Sequence, residues 1–308
     1  LTSLARTCSG IGAAIPTVLT MTVVPILGAG SSMADYKIGF KWWALIIAVV
    51  FVISELVCVA CVPERPVACD EKPGKISDMF KALFKNDQAM TVVVSIILVY
   101  TSLNICGNLV LYFFRFDVGN EGAYSIFAAV AFAAQVLVMM VIPLLRKRFS
   151  KSQLFISGFI IQIAGFAVIL IMAFAKLYTP QSWYILCLPG ILIYLGYGML
   201  NVIMTIFLSD SVDYGEVMNG TREESVIFSM QTFTVKLASG VAVFLAGLVV
   251  DWIHLDTAAA VQTQDTLDAL RMWMTIPSVI LLIVGIFVFK RFYKLDDTRM
   301  EEIKSKLN

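Results

Sequence analysis

The amino-acid sequence predicts an all-α, polytopic membrane protein with about eight transmembrane helices. Three features predict it. Hydrophobic residues make up 59% of the chain and charged ones 15%, with a mean hydropathy of +0.85, well above the roughly 45–50% apolar content of a soluble domain. The apolar residues fall in continuous runs of about 20, the length that crosses a bilayer core, without the period of two that a barrel strand requires. The charges gather between those runs. In lipid each segment must satisfy its own backbone hydrogen bonds, which leaves the helix as the spanning element.

Taken in order, the runs lie near residues 4–27, 42–62, 90–114, 123–145, 154–175, 184–208, 225–250 and 273–293. The chain opens on Leu1 without the basic flank and small-residue cleavage site of a signal peptide, so the start is read as a truncation. Residues 63–89 mix Glu64, Arg65, Lys72 and Lys75 with Pro63, Pro66 and Pro73 before an amphipathic stretch from Ile76 to Phe84. That composition predicts a hinge between helical bundles. The expected organisation is two helices of an amino-terminal bundle in 1–62, a central loop in 63–89, a six-helix bundle in 90–293 and a tail in 294–308. A native count of eight spans is the other reading.

The connections 63–89, 146–153 and 209–224, together with the chain from Lys290 at the end of the last run through the tail, hold 16 of the 23 lysines and arginines, against five on the opposite side, with Arg6 and Lys236 inside runs. The positive-inside rule then places both ends of the chain in the cytoplasm, in a plasma (inner) membrane. A net charge of +1 gives no footprint for nucleic acid. Cys8, Cys58, Cys61, Cys106 and Cys187 lie in apolar runs, where a thiol acts as a small hydrophobe, and Cys69 alone sits in a polar loop, so neither a disulfide framework nor a metal site is expected. His254 stands alone at a helix end. No zinc-protease, nucleophile-elbow or phosphate-loop pattern occurs, and an enzyme is not expected.

An ionisable group inside a span is costly and is a functional hypothesis by default. Lys236 is such a group, and Ser225, Ser229, Thr232, Lys236 and Ser239/Gly240 share one helical face, with Gln231 beside it. A stripe of that kind lines water or a ligand; the other reading is an ammonium paired structurally with a carboxylate on a neighbouring helix. Asn104, Asn108 and Tyr112, spaced four apart, suit hydrogen bonding to hydroxyl groups and equally suit helix packing. The connection holding Asp210, Asp213, Glu216, Arg222, Glu223 and Glu224 faces the basic run Arg146-Lys-Arg-Phe-Ser-Lys151. These charges form either a switchable ion-pair network or a solvated loop.

The register Asp210-Ser-Val-Asp-Tyr-Gly-Glu216, then Arg222, then Gln231-Thr-Phe-Thr-Val-Lys236, resembles the glycoside-pentoside-hexuronide:cation symporter family of the Major Facilitator Superfamily. Lys85-Asn-Asp-Gln88, Pro143 with Lys147 and Ser150, and Arg291-Phe-Tyr-Lys-Leu295 extend the resemblance along the whole chain. It implies a protein of about twelve helices, of which this chain holds helices V to XII. It implies sugar transport by alternating access, coupled to sodium or protons, with the cation site mostly in helices I to IV. It also implies that Gln231, Thr232 and Lys236 face a sugar pocket, with Arg6 near the helix V arginine beside the sugar. Asp210, Asp213, Glu216, Arg222 and Glu224, with Arg146 opposite, would form the cytoplasmic gate. Asn201 falls where the melibiose branch has a tryptophan that stacks on the sugar, which opens the choice of glycoside, pentoside or hexuronide. Expected partners are a sugar, the coupling cation and the bilayer, around a monomer without cofactors. A non-transporting sensor of the same fold, or a facilitator for another solute, is the alternative.

Overall fold

The computed structural model describes residues 2–30, 33–61, 84–220, 224–257, 259 and 261–307. All regular structure among them is helical. Seven helices are long and apolar enough to cross a membrane, Asp35–Cys61, Asp87–Asp117, Ala123–Leu145, Lys151–Phe174, Trp183–Met218, Glu224–Trp252 and Gln264–Phe292. Each coincides with one of the predicted runs. The run at 4–27 coincides with a further helix, α1 (Thr2–Gly28), which is outside those seven. The amphipathic stretch before Phe84 and Arg222 lie outside the described residues.

The chain divides into two compact units, Ile11–Lys75, and Leu1–Gly10 with Ile76–Asn308. In the first, most of α1 pairs with α2 (Met33–Cys61). The two approach closely because Gly39 has no side chain: a Cβ there would stand 2.1 Å from the Val24 carbonyl oxygen. Trp43 Nε1 donates to Thr20 Oγ1 at 2.8 Å, and that hydroxyl donates to the Pro16 carbonyl.

The second unit is built from α3 (Asp87–Tyr112), α4 (Ala123–Leu145), α5 (Lys151–Phe174), α6 (Cys187–Asn219), α7 (Glu224–Trp252), α8 (Gln264–Phe292) and a short α9 (Asp297–Leu307). α3 packs against α6, α7 and α8, while α6 packs against α4 and α5. At the α5–α6 crossing glycines let the backbones meet, since a Cβ on Gly196 would stand 2.5 Å from the Gly158 carbonyl. Ser102 Oγ donates to the Ser278 carbonyl at 3.1 Å and Ser278 Oγ to the Ser102 carbonyl at 2.9 Å, joining α3 to α8. Phe155, Phe207, Phe289 and Tyr293 cluster with ring centroids 4.4–5.3 Å apart at the end of the unit that carries Arg146 and Lys151, called here the basic end.

Local chemistry explains the helix limits. Ser150 and Gln153 form a reciprocal capping box that starts α5. Asn86 caps α3 by accepting from Ala89 N–H, while its amide nitrogen donates to the Ser211 carbonyl of α6 at 2.8 Å. α3 runs on through a π-turn, Phe113–Asp117.

Three boundaries differ from the sequence expectation. α6 does not end near 208 but continues to Asn219, so Asp210, Asp213 and Glu216 lie on a helix and not in a loop. Nothing in 209–218 breaks a helix, and the stop comes at Gly220, whose φ of 73° is the left-handed conformation that closes a helix. α8 starts at Gln264, behind a Thr263 cap, and not near 273. Its first turns carry Asp268 and Arg271, which pair with each other and are tolerated there. The tail contains α9, whose Met300 and Ile303 are buried with Leu295 against Tyr214 and Val217 of α6.

Candidate functional site

Near the middle of the bundle, α3, α6 and α7 bring polar side chains together. Asn201 of α6 donates through its amide nitrogen to the Tyr100 hydroxyl at 2.6 Å and to the Tyr197 hydroxyl at 3.4 Å. The two tyrosine rings meet edge to face with centroids 5.5 Å apart. Each hydroxyl accepts from Asn201, and the Tyr100 and Tyr197 hydroxyls also hydrogen-bond to each other, which leaves one of their two protons to give. On α3, Asn104 Nδ2 donates to the Tyr100 carbonyl and Asn108 Nδ2 to the Asn104 carbonyl, both at 2.7 Å. One of the two N–H donors of each amide is therefore engaged by the helix's own backbone, and the second donor and the side-chain oxygen are what these residues offer outward. Ser239 of α7 donates to Asn104 Oδ1 at 3.5 Å, which places α7 beside this ladder.

The α7 stripe is borne by the open side of the unit. Ser225, Ser229, Thr232, Lys236 and Gly240 are exposed and Ser239 is half-buried, while Gln231 and Thr234 are buried toward the bundle. Lys236 has no ion-pair partner among the described residues. An ammonium at this depth cannot rest against lipid at low cost, so the stripe marks a surface that meets water, ligand or protein. Arg6 lies on α1, and its side chain is outside what the structure describes.

At the basic end, Lys151 Nζ pairs with Asp210, both side chains 7% exposed, and stands 3.4 Å from Asp297. Arg146 reaches the same Asp297 carboxylate at 3.3 and 3.5 Å. Burial raises the Asp297 pKa, but the Arg146 hydrogen bond and the Arg146 and Lys151 charges outweigh it and hold the carboxyl below its ordinary range. Because the folded-state pKa is depressed, the docking of α9 by this carboxylate is complete at neutral pH and is lost as pH falls through the folded value. Hydrogen exchange of the α9 amides should therefore be slow at pH 7 and accelerate below about pH 4, and Asp297→Asn should remove that pH response. Asp213 and Glu216 are half-buried and Glu224 is exposed on neighbouring turns.

At the opposite end, Asp117 on the π-turn is held from two sides. Arg271 of α8 reaches it at 2.5 and 2.9 Å and also binds Asp268 at 2.6 Å, and the Tyr178 hydroxyl donates to Asp117 at 2.6 Å. Burial, then the Asp117 charge, pushes the Tyr178 hydroxyl above its usual range, so it remains a donor.

Of the residues named from sequence, the structure brings Asn104 and Asn201 to one cluster through Tyr100, and Asp210 and Arg146 to another through Lys151 and Asp297. Lys236 and Thr232 stand on the open stripe. Sequence reasoning missed Tyr100 and Tyr197, which look like ordinary aromatic content of apolar runs. Tyr100 precedes Asn104 by one helical repeat, and Tyr197 precedes Asn201 by one; that shared spacing was the available signal.

A bundle of membrane-length helices with a mid-depth cluster of hydroxyl and amide groups, and a lysine on its open side without an ion-pair partner among the described residues, is the frame of a polytopic membrane protein with a polar interior. The chain belongs to the family described as MFS/sugar transport protein, which matches residues 1–297, in agreement with the resemblance carried by the Asp-Tyr-Gly-Glu to Lys236 register. This is a family of transporters and not of enzymes. The chain is 24% identical over 310 residues to the raffinose carrier protein of Pediococcus pentosaceus, covering 98% of this chain and 47% of that protein. It is 25% identical over 289 residues to the isoprimeverose transporter of Lactiplantibacillus pentosus, 93% of this chain and 58% of that one. With an uncharacterized symporter, YjmB, of Bacillus subtilis it shares 24% identity over 293 residues, 94% and 61%. The chain thus spans about half to three-fifths of the length of these curated relatives.

Proposed function

We propose that the protein is a cation-coupled sugar symporter, in which α3 to α8 form one helical half and line part of the sugar path. The observation that carries this reading is the Tyr100–Asn201–Tyr197 cluster with the Asn104 and Asn108 carbonyl oxygens beside it. It presents a hydroxyl donor and amide acceptors together at one depth, as recognition of a polyol demands. The names of the relatives point the same way, being carriers of raffinose and isoprimeverose. Lys236 supplies a fixed positive charge next to this face, and the basic-end cluster of Lys151, Asp210, Asp297 and Arg146 is the group of ion pairs that alternating access would rearrange. Arg222 and Glu224 belong to the same gate. The coupling ion is sodium or a proton, bound mostly outside this chain, and sugar and ion would favour each other's binding reciprocally. The protein works as a monomer in the plasma membrane with both ends of this chain in the cytoplasm.

The test is uptake by the natural full-length protein in proteoliposomes, using galactose, xylose, glucuronate, lactose, isoprimeverose and raffinose. Saturable uptake of at least one sugar, accelerated by an inward sodium or proton gradient and lost when an ionophore collapses it, is expected. Sugar binding without counterflow would instead make the protein a sensor, and flux that never saturates would make it a channel.

A further inference from the structure

We infer that the outer part of α3, beyond Asn108, carries a second carbohydrate subsite, an aromatic platform formed by Tyr112 and Phe116, so that the substrate is an oligosaccharide and not a single sugar. This inference rests on the symport reading above. The rings of Tyr112 and Phe116 lie nearly parallel, 6° apart in plane and 6.5 Å between centroids, and both side chains are half-buried, each keeping part of its surface open. Aromatic faces of that kind pack against the C–H face of a sugar ring while the ring's hydroxyls stay with polar partners.

The platform is continuous with the polar cluster. Tyr100, Asn104, Asn108 and Tyr112 follow one another at intervals of four along α3, and the acceptor oxygens of the asparagines stand between the two tyrosines. From Tyr100 to Tyr112 the helix rises about 18 Å. One sugar ring cannot cover that span, and linked rings can. Three devices fix the platform where it is. Phe116 follows Tyr112 by four residues, which keeps the two rings on one side of the helix. Asp117, the last residue of the π-turn Phe113–Asp117, is pinned by Arg271 and by Tyr178. The Arg115 guanidinium stands 5.0 Å from the Phe116 ring centroid and donates to the Thr257 carbonyl at 3.3 Å, bracing that ring.

The experiment compares KM across the six sugars in the natural full-length protein and in two variants. Tyr112→Ala removes one ring, and Phe116→Leu keeps apolar volume while removing the other. Each should raise KM for lactose, isoprimeverose and raffinose about tenfold more than KM for galactose, xylose and glucuronate, a tenfold ratio being about 1.4 kcal/mol, and Tyr112→Phe should restore the original ratio. An unchanged ratio, whether both classes weaken together or neither does, overturns the subsite and leaves the transport reading standing. Transport of single sugars only by the unaltered protein overturns it equally. Absence of gradient-driven uptake of all six sugars by the unaltered protein overturns the symport reading and the subsite with it.

Discussion

Replacing Lys236 by alanine in the full-length protein should lower gradient-driven sugar uptake by about a hundredfold, the effect of losing a charged hydrogen-bond donor worth up to about 3 kcal/mol, while membrane insertion and abundance stay as they were. The expectation follows from placement. Lys236 stands on the exposed stripe of α7 with no carboxylate partner among the described residues, so among them its removal breaks no ion pair and leaves no orphaned charge. Gln231 and Thr234, which face the bundle from the same helix, are untouched, and α7 keeps its packing on α3. Uptake measured beside surface expression separates the two effects. Unchanged active uptake would remove the lysine from the transport path, and loss of protein from the membrane would return it to a structural role.

The second large effect is on stability. Arg271→Met should destabilise the protein by about 3–5 kcal/mol, the usual cost of removing one partner of a buried ion pair, seen as a fall in apparent Tm of about 10 °C in detergent. Asp117 and Arg271 are each 3% exposed at the side chain, and without the guanidinium the Asp117 carboxylate would keep, among the described residues, the Tyr178 hydroxyl as its hydrogen-bond donor. A carboxylate so placed is buried without its cation. Adding Asp117→Asn to Arg271→Met should therefore recover most of the loss, because the amide carries no charge to strand. Should the double variant prove no more stable than the single one, the loss comes from packing of the arginine stem and not from its charge.

The helices were legible because lipid-spanning length and apolar continuity act over about 20 consecutive residues, so every run found in sequence is a helix in the structure. Helix ends were less legible. Asp210, Asp213 and Glu216 read as a polar connection, yet three acids on one helix cost little when Lys151 is brought to Asp210 from another helix. α9 was invisible as a helix because its apolar residues, Met300, Ile303 and Leu307, are few, and Met300 and Ile303 are buried against Tyr214 and Val217, far away in sequence. At the site, Lys236 and the asparagines were legible as polar groups in apolar surroundings. Their chemistry was not, since only the structure shows that Asn104 and Asn108 each spend one amide donor within α3. Asp117 and Arg271 are 154 positions apart, and nothing local in either segment announces the other.

The π-turn in α3 also says something about history. A π-turn is a regular helix that has gained one residue without losing its flanks, so the segment Phe113–Asp117 has the form of an ancestral single-residue insertion preserved in place. Reversing that insertion would rewind everything beyond it by about 100°, swinging Asp117 out of reach of Arg271. The inserted residue and the arginine on α8 are thus a pair that selection could accept only together, and a related chain lacking one should be found to lack the other.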